Sequence, residues 1–120
     1  MKNIKVKKKT TETSIHEFLV RAGKQFAQAG EQIKWTNNIP ASQATKITVD
    51  LAAFPNTANI FESGPPSLTF DIAPGGSVIR KVRATAAVGS GGPYEVYVLR
   101  PGGAITSAHG DSEPEVEVKG

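Results

Sequence analysis

Two histidines, His16 and His109, are the only imidazoles in a chain of 120 residues that has no cysteine and whose one methionine is Met1. A zinc or copper centre would have to bring the two together and add carboxylates. His109 stands in Ala108-His109-Gly110-Asp111, which reads as an exposed loop. Metal handling by His16 and His109 is therefore one function to test, against the plainer reading of two unrelated surface imidazoles. The missing thiols exclude disulfides, thiolate ligands, cysteine nucleophiles and iron–sulfur clusters. No Gly-x-Ser-x-Gly elbow is present to seat a nucleophile. PGGS at 74–77 and GSGGP at 89–93 lack the Lys-Ser/Thr and the following helix of a phosphate loop, and read as turns. No catalytic, cofactor-binding or metal-binding residue is assigned on this basis, and the expectation is a protein that is not an enzyme and carries no cofactor.

The charge is unevenly distributed. Residues 1–11 hold five lysines and no acid, whereas residues 12–120 hold nine basic and eleven acidic side chains. The sequence pI of about 9.3 is thus set by the first eleven residues. A nucleic-acid-binding domain is expected to carry its basic surface on the folded body, which weighs against nucleic acid. The lysines of residues 2–9 have two readings. They are the outward side of an edge strand that deters sheet-to-sheet aggregation, or an electrostatic tail for nucleic acid or an anionic membrane. No apolar h-region follows MKNIKVKKKT, so a cytoplasmic location is expected, or a periplasmic or secreted one if a leader has been removed ahead of Met1. No apolar run reaches the length of a membrane span.

The elements that would have to position any site read as strands. Glycine and proline together supply 20 residues and apolar types 38%, a composition of short strands and many turns. Lys2-Asn3-Ile4-Lys5-Val6-Lys7-Lys8 alternates with the strand period, and so does Glu115-Val116-Glu117-Val118-Lys119. If these two were neighbours, Lys and Glu would pair across them. In EQIKWTNN, Ile33 and Trp35 share a face; Ile47 and Val49 do so in ATKITVD. SLTFDI, SVIRKVRA and YEVYVL follow, with Tyr94, Val96 and Val98 on one face of the last and Tyr97 and Leu99 on the other. Residues 14–30 read two ways. Ser14 and Glu17 fit a capping box, and Ile15, Phe18, Leu19, Ala22 and Phe26 fall on one helical face, which allows a short helix within 14–29. Gly23 costs such a helix about 1 kcal/mol, and the all-β surroundings favour strand–turn–strand. Of the aromatic residues Trp35, Phe54, Phe61, Phe70, Tyr94 and Tyr97, most are expected in the core.

The order Gly30-EQIKWTNN, ATKITVD, SLTFDIAPGG, GGPYEVYVLRPGG and EVEVKG resembles the cupredoxins over roughly residues 26–119. That resemblance implies a Greek-key β-sandwich. It also implies a copper site, and the ligand positions do not fit one. Ala44, Thr45, Lys46 and Ile47 stand where the first His strand would lie, Val98 where the Cys would, and Leu99 to Gly102 where the second His would. Blue copper needs a thiolate and two imidazoles. The alternative is an immunoglobulin-like sandwich, suggested by Trp35 and Tyr94-x-Val96 but lacking the flanking cysteines. The expected protein is a single all-β domain over 1–120. It is expected to be a non-catalytic binding module for an unknown protein or small molecule, read by loops 37–45, 55–66 and 89–93 at one end of the sandwich.

Overall fold

The computed structural model describes residues 1–8, 18–21, 24–108 and 114–120. Among the described residues eleven strands are formed: β1 Lys2–Lys8, β2 Phe18–Arg21, β3 Lys24–Gln28, β4 Gln32–Asn37, β5 Lys46–Asp50, β6 Thr69–Ile72, β7 Ser77–Lys81, β8 Gly91–Pro93, β9 Glu95–Leu99, β10 Ile105–Ser107 and β11 Glu115–Lys119. The only helical pieces described are one turn, α1 (Pro55–Ala58), and a 3₁₀ turn at Pro65–Leu68. The all-β expectation holds. The strands form three sheets, ordered β2-β1-β4-β7, β10-β9-β5-β6 and β3-β11-β8. They pack as a sandwich around one cluster of buried side chains.

Parity decides which side chains enter that cluster. Ile4 and Val6, Ile33 and Trp35, Ile47 and Val49, Val96 and Val98, and Val116 and Val118 are all buried, and their alternating neighbours face out. Trp35 is at the centre, with ring centroids 6.1 Å from Phe61, 5.7 Å from Phe70 and 5.9 Å from Tyr94. Its indole Nε1 donates to the Tyr94 hydroxyl at 3.2 Å, so the two buried polar groups satisfy each other across the layers. Asn37, one inward position further along β4, is the second tie. Its side-chain Nδ2 donates to the Ile72 carbonyl at 2.9 Å, and its Oδ1 accepts from the Ile39 N–H at 2.9 Å. Its backbone closes the same corner, with N–H to Gly76 O and carbonyl from the Gly75 N–H. Phe54, in contrast to the other expected core aromatics, is 36% exposed, and Tyr97 is half-buried on the outward side of β9.

Four expectations change. The segment 18–28 is strand on both sides of residues 22–23, so no helix runs through it. Nor is it a hairpin: β2 pairs antiparallel with β1, while β3 pairs parallel with β11 in another sheet. The terminal strands β1 and β11 are not neighbours. Glu115 and Glu117 meet Lys24 of β3 instead, at 3.5 and 3.6 Å. β1 is not an edge strand, because it lies between β2 and β4. Finally, the loops 37–45, 55–66 and 89–93 do not share one end. β5 is antiparallel to both β6 and β9, so the connection that enters it and the one that leaves it lie at opposite ends. Loop 37–45 meets the β9–β10 connection, with the Thr45 N–H on Leu99 O at 2.8 Å. The other two loops meet at the Asp50 end, where Thr57 Oγ1 donates to Pro93 O at 2.5 Å.

Burial raises the Tyr94 phenol far above its ordinary pKa, opposed only by the hydrogen bond from Trp35. The unfolded chain ionises there near pH about 10, so the stability contributed by Tyr94 is complete below that pH and is lost as pH rises above it. Urea titrations at rising alkaline pH will show a decline in unfolding free energy that Tyr94→Phe reduces. At neutral pH, Asn37→Ala will cost about 3 kcal/mol with the urea m-value unchanged, because the Ile72 carbonyl and Ile39 N–H lose their buried partners.

Candidate functional site

The positions that the cupredoxin resemblance would assign to copper are filled by packing and turn residues. Ala44, Ile47 and Val98 are fully buried in the core. Lys46 bridges to Asp71 at 2.7 Å, and the Arg100 N–H donates to Ala104 O at 2.8 Å, closing the following turn. The Arg100 guanidinium lies 5.2 Å from the Phe18 ring centroid. None of these side chains is an imidazole, a thiolate or a thioether, so the donor set does not fit blue copper. His16 and His109 lie outside the described residues. Among the described residues, no group of three or more His, Cys, Asp or Glu side chains is placed to hold a metal ion.

The glycine-rich stretches have structural uses. Pro74-Gly75-Gly76 is the β6–β7 turn that Asn37 grips, with Gly75 at φ +80°. Gly91 begins β8 at φ +113°, and a Cβ there would lie 2.1 Å from the Val116 carbonyl oxygen. The close pairing of β8 with β11 therefore requires a residue with no side chain at this position.

A groove of about 460 Å³ opens at the Asp50 end, between α1 and the loop that runs from β7 to β8. Its walls are polar. Asn56 and Asn59 are three residues apart and share one side of the helical turn, and both are exposed. Opposite them stand Arg83, Thr85 and Ser90. The loop is braced from within: the Arg83 N–H donates to Ile60 O at 2.8 Å, Ala86 N–H to Arg83 O at 3.1 Å, and Gly89 N–H to Val118 O at 2.7 Å. Arg83 is fixed by its Nε, which donates to Asn59 O at 3.1 Å. No acid lies within ion-pair distance of its guanidinium among the described residues. A guanidinium held at Nε and unpaired at its two terminal nitrogens is arranged for bidentate contact with a carboxylate. A smaller cavity of about 100 Å³ lies beside Tyr94, between Phe54 and Tyr97, whose hydroxyl bonds to Glu95.

Of the three loops expected to form a site, 55–66 and 89–93 are brought together here, and 37–45 is not. Arg83, Thr85 and Asn59 carry no motif that marks them in the sequence. The one hint is the small-residue run Ala84 to Gly92, which is too short of bulky side chains to be another core strand. No protein-family model matches the chain, and no curated protein matches it significantly. Among the described residues no helix is long and apolar enough to cross a membrane.

Because Gly91 seats β8 against β11 and so holds one wall of the groove, Gly91→Ala is expected to destabilise the protein by more than about 2 kcal/mol. Amide hydrogen exchange will show protection lost first at Gly91 and Glu117, which are paired across the two strands.

Proposed function

We propose that this protein is a non-catalytic binding module, built on a metal-free Greek-key sandwich of the cupredoxin kind, that takes a small polar ligand bearing a carboxylate in the groove at the Asp50 end. The observation that carries the reading is Arg83, anchored through one nitrogen to the Asn59 carbonyl and facing an open polar groove that holds no acid among the described residues. The groove volume is within the range of small-molecule sites, roughly 300–1,000 Å³. The asparagine amides supply both donors and acceptors for hydroxyl or amide groups on the rest of the ligand. The fold assignment is supported by the strands themselves, since EQIKWTNN, ATKITVD, SLTFDIA, YEVYVL and EVEVK each contain one strand in the expected order.

The test is a two-dimensional amide NMR titration with citrate and with glucuronate as carboxylate probes. Saturable shifts confined to residues 56–60 and 83–91 are expected. Arg83→Ala will weaken the binding at least about tenfold, the loss of one charge-assisted bidentate contact. Shifts that appear instead at Lys5, Lys7 and Lys34, or that persist in the Arg83→Ala variant, would overturn the assignment.

A further inference from the structure

The lysine-rich first strand belongs to the folded body. Ile4 and Val6 point into the core, so Lys5 and Lys7 point out from the β2-β1-β4-β7 sheet. The same parity places Arg21, Lys34 and Lys81 on that outer face, opposite the buried Val20, Ile33 and Val82. Register puts them close together. Lys5 is directly across from Arg21, and Lys34 is across from Asn3 on one side and Ile79 on the other. Of these five cations only Lys81 has an acid partner among the described residues, Glu62 at 3.6 Å. Like charges placed directly across a ladder, as at Lys5 and Arg21, oppose folding. The face thus carries a repulsion that an external anion would relieve.

On the outward faces of the other two sheets several charges are paired internally. Lys46 bonds Asp71, and Lys24 meets both Glu115 and Glu117. The hydrogen bonds from Lys46 and Thr48 hold the Asp71 carboxyl below its ordinary pKa. Among the described residues, the acids outside these pairs and the Lys81–Glu62 pair, Glu31, Asp50 and Glu95, each accept hydrogen bonds from their own chain, so a second copy offers the basic face little uncommitted acid there.

We propose that the outer face of the β2-β1-β4-β7 sheet docks on an anionic lipid bilayer. Three observations select a membrane over nucleic acid, whether duplex or single-stranded. Four of the five cations are lysines, which act as point charges and not as base-reading forks. No aromatic residue occupies an outward position on these strands, so nothing stacks on a base. Ile79, 41% exposed, stands among the lysines directly across from Lys34. An apolar side chain there has no partner on a phosphate backbone, but it does at the boundary between headgroups and acyl chains. Sequence had weighed the lysines as either an edge strand or a tail. Lys5 and Lys7 are on neither: they lie on the outer face of an internal strand, while Lys2 and Lys8 share the parity of Ile4 and Val6 and Lys9 lies outside the described residues.

Co-sedimentation with unilamellar vesicles tests the proposal. Binding is expected with vesicles of phosphatidylcholine and phosphatidylserine, to fall as salt is raised, and to be absent with phosphatidylcholine alone. Each basic residue at the surface changes the partition coefficient by about fivefold, so K5Q/K34Q will lower it by about 25-fold. K24Q/K119Q removes the same net charge from the other side and is expected to leave binding within about twofold, a residual long-range effect screened at physiological salt. I79S will weaken vesicle binding without changing its salt dependence. Lys5 is exposed and faces a like charge, so K5Q/K34Q keeps its thermal stability, which a circular-dichroism melt checks. Equal loss in the two double variants, or equal binding to neutral vesicles, would overturn the proposal. So would a labelled DNA duplex that binds through Lys5 and Lys34 when the vesicles do not, which would assign the face to nucleic acid.

Discussion

The hydrogen bond from the Trp35 indole to the Tyr94 hydroxyl sets the relation between the two layers. Each partner is fully buried, and each would be left without a hydrogen bond if the other moved away. Facing sheets stand about 10 Å apart, and only a large side chain reaches across that gap to a polar partner. Trp35 does so while packing on Phe61 and Phe70, so one residue fixes both the spacing and the lateral position of the layers. Asn37 repeats the device one inward position later, gripping the corner where the chain leaves β6 and turns into β7. A single strand, β4, supplies both ties. The sheets are thereby prevented from sliding along β4 or rotating about a single point of contact.

The same alternation has a consequence outside the core. With Trp35 and Asn37 turned inward, Lys34 must face out, and β1 beside it must present Lys5 and Lys7 to the same side because Ile4 and Val6 are needed within. The basic face is thus bound to the packing of the core by the strand period. On the other sheets, Lys24 meets Glu115 and Glu117 and Lys46 meets Asp71, while Asp50 and Glu95 are directly across from each other. The result is a two-sided charge distribution in a protein whose net charge is only +3.

Strand content was legible because half-buried strands write their burial into every second residue: Ile33 and Trp35, Val96 and Val98, Val116 and Val118. Pairing was not, since nothing local in FLVRAGKQFAQ shows that its two halves join different sheets. Asn37 reads as a turn residue beside Asn38, and its burial depends on a carbonyl 35 residues away. The error about the loops came from the same source. Which end a connection occupies depends on strand direction, a property of the assembled sheet and not of the loop. The groove was hidden for a related reason: Asn59 and Arg83 are 24 residues apart, and their segments are brought together by long-range contacts such as the Arg83 N–H on Ile60 O and the Phe61–Val82 bridge.

The position of β11 bears on how the chain reaches this state. It is the last strand described, yet it is the middle strand of its sheet, with β3 parallel on one side and β8 antiparallel on the other. Until it arrives, β3 and β8 each lack a ladder partner, and Lys24 to Gln28 must wait for residues near the far end of the sequence. Closing so long a loop before any contact rewards it makes for a slow folding step. During synthesis on the ribosome, the β3 segment is exposed as an unpaired strand until β11 emerges, a period in which such strands are open to association with others. The charge at Lys24, which lies over the Phe26 ring in the finished sheet, is then the local protection that segment has against pairing with the wrong chain.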